Sequence, residues 1–133
     1  MTYLIDDVAR TWAVGGGSPG VVGDVITFAN EIGYVRNLAY WTIGRTYKIN
    51  VTIASYSGAG NIILPYDSSV ETDIYGASIV KAANGTYEYY YIPTVTTVQI
   101  YSYAGHTAVV TTNSIQETDN RGMGSIGMDP TLQ

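Results

Sequence analysis

The stretch Thr46-Tyr47-Lys48-Ile49-Asn50-Val51-Thr52-Ile53, continued by Ala54-Ser55-Tyr56, decides the fold. Tyr47, Ile49, Val51 and Ile53 fall on one side, and Thr46, Lys48, Asn50 and Thr52 on the other. A strand sends successive side chains to opposite faces, so this alternation predicts a β-strand with one buried and one wet face. It stops at Ser57-Gly58-Ala59-Gly60, a turn signal.

Working outward, residues 61–64 resume as a strand and end at Pro65, which cannot donate to a ladder. Residues 67–72 are polar and loop-like, and residues 74–82 read as a strand. Asn84-Gly85 follows, the strongest short hairpin signal. In residues 86–92, Tyr87, Tyr89 and Tyr91 share one face, Glu88 and Tyr90 take the other, and Pro93 closes the run. Residues 95–103 and 107–116 are expected as two strands separated by Ala104-Gly105-His106. Upstream, residues 22–28 place Val22, Ile26 and Phe28 on one face, residues 34–42 carry Leu38 and Tyr40 at matching parity, and residues 12–14 make a weak strand. Nine short segments at roughly 8–12-residue spacing suit a sandwich or barrel. No segment shows sustained apolar spacing of three and four residues, so no helix is expected.

The chain has 133 residues, one domain by length and long enough for its own core. Only 13% of residues are charged, about half the usual share, against 46% hydrophobic and 13 tyrosines. That composition opposes disorder. The net charge is −5, and the six basic residues form no stripe, so nucleic acid is not an expected partner. The absence of cysteine removes disulfides, thiolate metal sites and a Cys nucleophile. Met1-Thr2-Tyr3-Leu4-Ile5-Asp6-Asp7 has neither the basic nor the apolar region of a signal peptide, and no apolar run has transmembrane length. A product made in the cytoplasm without a membrane anchor is expected. Residues 1–118 are expected to form the sandwich. Residues 119–133, in which Gly122, Gly124 and Gly127 interleave with Met123, Ile126 and Met128, form a tail. That tail is expected to be flexible or to order on a neighbouring subunit.

Several stretches resemble the jelly-roll carbohydrate-binding modules attached to xylanases, and the same modules carried in phage structural proteins. They are Trp12-Ala13-Val14-Gly15-Gly16-Gly17, Ile26-Thr27-Phe28, Ile43-Gly44-Arg45-Thr46-Tyr47-Lys48-Ile49, Asn84-Gly85-Thr86-Tyr87 and Asn113-Ser114-Ile115-Gln116-Glu117, in the family's order. The resemblance covers residues 12–117 and implies an all-β antiparallel sandwich of jelly-roll, galactose-binding-like type. Fold does not dictate ligand. A free-standing, cysteine-free chain is similar to the phage versions, which implies a non-catalytic accessory protein on the virion surface. Decoration of a capsid, or a place in a head or tail appendage, would be its role. The implied partners are a major capsid protein or other virion protein and further copies of the chain, as a trimer. The alternative is a carbohydrate-binding module recognising a host or plant glycan.

Candidate chemistry is sparse. Gly15-Gly16-Gly17-Ser18-Pro19-Gly20 matches a dinucleotide-binding spacing, but Pro19 and the β-pattern after it oppose the helix such a site needs. His106, the single histidine, is expected in an exposed turn, with no nucleophile elbow to serve. Modules of this type often carry a structural calcium, and Asp6-Asp7 or Glu71-Thr72-Asp73 offer oxygen ligands. Neither has the spaced calcium-loop pattern, so solvated loops and no cofactor or metal are expected. No two carboxylates stand out as a glycosidase pair. Tyrosine is the excess: Tyr90, with Glu88 beside it, is the leading exposed candidate for glycan or partner contact, and Tyr56 and Tyr66 follow. Asn50 and Asn84 begin glycosylation sequons, read as coincidental in a chain without an export signal.

Overall fold

The computed structural model describes residues 3–7, 11–37, 41–58, 60–66 and 72–119. Among the described residues nine strands follow one another: β1 (Tyr3–Asp7), β2 (Trp12–Gly16), β3 (Gly20–Val22), β4 (Val25–Asn37), β5 (Tyr47–Gly58), β6 (Asn61–Tyr66), β7 (Val80–Lys81), β8 (Gly85–Tyr91) and β9 (Gln99–Asp119). All ladders between them are antiparallel. The molecule is an all-β antiparallel sandwich, as its alternating segments predict.

The long strand β9 is its spine. One edge pairs with β4 through residues 99–111 and with β1 beyond that. The other pairs with β6 through residues 99–103 and with β5 through residues 106–117. Register shifts interrupt β4 between Ala29 and Gly33, and β5 between Ala54 and Ser57. Bulges bend and twist strands, and let one strand serve two layers. One layer therefore holds β2, residues 33–37 of β4, residues 99–103 of β9, β6 and β7. The other holds β3, residues 25–29 of β4, the remainder of β9, β5 and β8.

The core lies between the layers. From β5, Tyr47, Ile49, Val51 and Ile53 are all buried, on the predicted face, beside Val110 and Ile115 of β9 and Ile26 and Phe28 of β4 in the same layer. The other layer contributes Trp12, Val35, Ile62, Leu64 and Ile100. Each such side chain contributes roughly 1.5–3 kcal/mol by leaving water. A small apolar cavity of about 10 Å³ between Trp12, Trp41, Ile49, Leu64, Ile100 and Thr112 marks the seam.

Several local expectations change. Of residues 95–103 only 99–103 are strand, and they fuse with 107–116 into the single β9, so His106 lies within a strand rather than a turn. Residues 25–37 are likewise one strand, and Val22 is exposed because Gly23-Asp24 turns the chain between β3 and β4. Of residues 74–82 only Val80–Lys81 is strand. Asn84-Gly85 closes no hairpin, since β7 pairs with β6 and β8 with β5. Thr46 is buried just ahead of β5. Asp6 and Asp7 belong to β1, not to a loop, with Asp7 opposite Gln116. Leu38, Tyr40, Glu71 and the tail from residue 120 onward lie outside the described residues.

Candidate functional site

Two outward faces carry the tyrosine excess, one on each layer. The first is the outer face of β5, β8 and β9. Because Tyr89 and Tyr91 point inward, Glu88 and Tyr90 point out. Cross-strand pairing places Lys48 opposite Tyr90 and Asn50 opposite Glu88. The Lys48 Nζ is 3.5 Å from a Glu88 oxygen, and lies 6.0 Å from the centre of the Tyr90 ring. Asn113 Nδ2 donates to both Asn50 Oδ1 (2.8 Å) and Thr52 Oγ1 (2.9 Å), and the Thr52 and Thr86 hydroxyls meet at 3.0 Å. The result is a flat, hydrogen-bonded network of amides and hydroxyls, with its lysine and glutamate mutually neutralised.

Tyr75 stands at the end of this network. It is 72% exposed and meets Tyr90 edge-on at 5.4 Å. Sequence reasoning placed residue 75 in a strand and missed it. The organiser is Asp73, expected in a solvated loop but in fact 8% exposed. Its Oδ1 accepts from the backbone N–H of Tyr75 and of Ala77, both at 2.9 Å, and its Oδ2 accepts from Tyr90 N at 3.2 Å. Gly76, at φ 85°, lets the chain close this turn. All of that acceptor capacity serves the backbone. Among the described residues, no group of three His, Asp or Glu side chains could hold a metal ion.

The second face belongs to the other layer. Ile100 and Ser102 are buried, so Tyr101 and Tyr103 of β9 point outward. Tyr101 lies nearly parallel to Tyr34 of β4, 5.6 Å between centroids and 6° between planes. Tyr66 and Tyr103 flank Tyr101 at 5.0 and 6.1 Å. Tyr34 rests over Gly15 and Gly16 of β2, where a Cβ would come within 2.1 and 2.6 Å of the ring. The glycines that suggested a nucleotide loop are instead the floor beneath an aromatic platform. Tyr103 is 58% exposed.

The four tyrosine and glutamate candidates from the sequence thus separate. Tyr90 and Glu88 share one face, and Tyr66 belongs to the opposite one. Tyr56, half-buried at the end of β5, donates its hydroxyl to the Gly60 carbonyl, while Asn84 Oδ1 accepts from its backbone N–H. It belongs to neither face.

One further polar group stands out inside the sandwich. The Tyr89 hydroxyl is buried without a hydrogen-bond partner among the described residues. Burial pushes its ionisation above the ordinary phenol range, and Tyr87 and Asp73 add to the effect. Lys81 covers the Tyr87 ring at 4.8 Å.

No family model and no curated protein matches the chain. Fold and surface define its class on their own: an antiparallel β-sandwich with a tyrosine platform on one outer face and a polar network ending in a tyrosine pair on the other.

Proposed function

We propose that the protein is a non-catalytic accessory component of a bacteriophage particle, made in the host cytoplasm and carried on the virion surface. It acts as a capsid decoration or as part of a head or tail appendage. Its mechanism is docking. The platform of Tyr34, Tyr66, Tyr101 and Tyr103 packs on the major capsid protein or another virion protein, and copies of the chain assemble beside one another as a trimer. The observation that carries this reading is the contact of each outer ring with Tyr101. Rings held by their neighbours lose little rotamer freedom on docking, and tyrosine is enriched where protein surfaces meet. The resemblance of residues 12–117 to phage-borne modules supports the same reading.

The test is saturable binding of the purified protein to shells of the phage whose genome encodes it. Tyr101→Ala with Tyr103→Ala should weaken that binding at least about tenfold. A monomeric wild-type protein with no saturable affinity for those shells would overturn the proposal.

A second reading, glycan recognition, is favoured by a different observation: the exposed Tyr75 beside Tyr90, at the rim of the amide and hydroxyl network. Sugar rings present apolar C–H faces to aromatic rings and hydroxyls to amides. The neutralised Lys48 and Glu88 suit an uncharged sugar. Glycan-array binding that disappears in Tyr90→Ala would support this reading, and an array with no binder would remove it. The two readings use opposite faces and are compatible.

A further inference from the structure

Asp73 and the turn it builds explain why an exposed tyrosine on a loop should hold a defined position. Tyr75 is 72% exposed, so packing alone does not fix it. The backbone around it is fixed. Asp73 N donates to Ala77 O at 2.8 Å and Gly76 N to Asp73 O at 3.1 Å, closing the turn internally. The carboxylate then does two separate things. Its Oδ1 gathers Tyr75 N and Ala77 N inside the turn. Its Oδ2 reaches across to Tyr90 N, while Ile74 N donates to Tyr90 O at 2.9 Å. Both outward backbone groups of Tyr90 are thereby tied to residues 73 and 74, and the turn is docked on the edge of β8 away from β5.

We propose that Asp73 is the positioning residue of the Tyr75 and Tyr90 pair. By clamping the turn to the backbone of Tyr90, it sets the edge-on ring geometry as one preformed contact unit, with Tyr75 as the contact residue. The proposal rests on the glycan reading of this face for its ligand, a neutral pyranose chain, but not for its geometry. A preformed pair binds more tightly than a mobile one because less freedom is lost on contact. Asp73→Asn separates the two jobs of the carboxylate. Its remaining oxygen still gathers the turn, while its NH₂ faces the Tyr90 N–H, so the side-chain link to β8 is lost with the turn and the Ile74 N to Tyr90 O bond retained.

The experiment has two arms. Nuclear Overhauser contacts between the Tyr75 and Tyr90 rings read the geometry without ligand. Xylohexaose titration reads binding, with Asp73→Asn, Tyr75→Ala and the double variant compared. The expected result is loss of the inter-ring contacts in Asp73→Asn and binding weakened about tenfold in each single variant. The double variant should be no weaker than Tyr75→Ala, since a residue acting through another is non-additive with it. Persisting ring contacts in Asp73→Asn would overturn the proposal. So would a further full loss of affinity when Asp73→Asn is added to Tyr75→Ala, which marks a general structural effect. Wild-type protein that ignores xylohexaose counts against the glycan reading, and the ring contacts still decide the role of Asp73.

Discussion

Trp12 Nε1 donates to Thr112 Oγ1 at 3.1 Å, joining residues 100 positions apart across the interlayer seam. Thr112 in turn approaches the Asp24 carbonyl at 3.3 Å, at the turn between β3 and β4. One buried hydroxyl therefore ties the β2 edge of one layer to the centre of the other. Thr112→Val keeps the shape but orphans the Trp12 N–H. A buried donor left unmade costs about 1–3 kcal/mol. We expect the urea midpoint to fall accordingly with an unchanged slope. Thr112→Ser, which keeps the hydroxyl, should retain most of the stability.

Gly15 is the second test. A Cβ there would meet Tyr34 Cε2 at 2.1 Å, so Gly15→Ala must lift the ring from its floor. The stack on Tyr101 is then lost, at a cost of about 1–3 kcal/mol. Near-ultraviolet circular dichroism should show the tyrosine signal change, and docking to phage shells should weaken with it. A stability change within about 0.5 kcal/mol, no larger than an ordinary surface substitution, would show that the ring moves freely.

Much of this architecture was legible, and the failures have physical causes. The alternation in β5 and β8 was read correctly because one face is buried and the other wet, which is the condition under which a period of two is informative. The continuity of residues 99–103 with 107–116 escapes sequence reading because Ala104-Gly105-His106 resembles a turn. Yet Ile100, Ser102, Ala108, Val110 and Thr112 keep one inward parity straight through it. A true turn need not preserve phase, and that was the cue. That Tyr66 and Tyr90 face opposite sides is not legible, because nothing local to a strand says which layer it joins. Tyr75 was missed for another reason. Its placement depends on Asp73 and on an edge group of Tyr90, 17 residues beyond Asp73. The pattern Asp73-Ile74-Tyr75-Gly76 did carry an Asp-to-Gly turn signal that outweighed the apolar residues around it.

Glu88 gives a contrasting expectation. It pairs with Lys48 at 3.5 Å and accepts from Asn50 at the same distance, but on an exposed face. Exposed pairs contribute about 0–1 kcal/mol, so Glu88→Gln should barely move the melting temperature. Any loss of glycan binding in that variant would then report recognition directly. A large loss of stability would instead show the network to be structural.

Tyr89 offers the clearest dependence on pH. Its hydroxyl is buried and unpartnered among the described residues, so it bears a desolvation cost that Tyr89→Phe removes. The variant should be more stable than wild type by about 1 kcal/mol near neutral pH, measured by denaturant titration. In alkali the two should diverge further. The folded protein holds the Tyr89 proton above the ordinary phenol range, whereas in the unfolded chain it is lost near pH 10. Below that pH both states are protonated and the residue adds no pH dependence. Above it the unfolded state alone releases the proton, so wild-type stability should fall by up to about 1.4 kcal/mol per pH unit from this residue. Phenylalanine cannot ionise, and the difference between the two proteins isolates Tyr89 from every other titrating group. Parallel stability curves above pH 10 would mean that water reaches the hydroxyl in the native state.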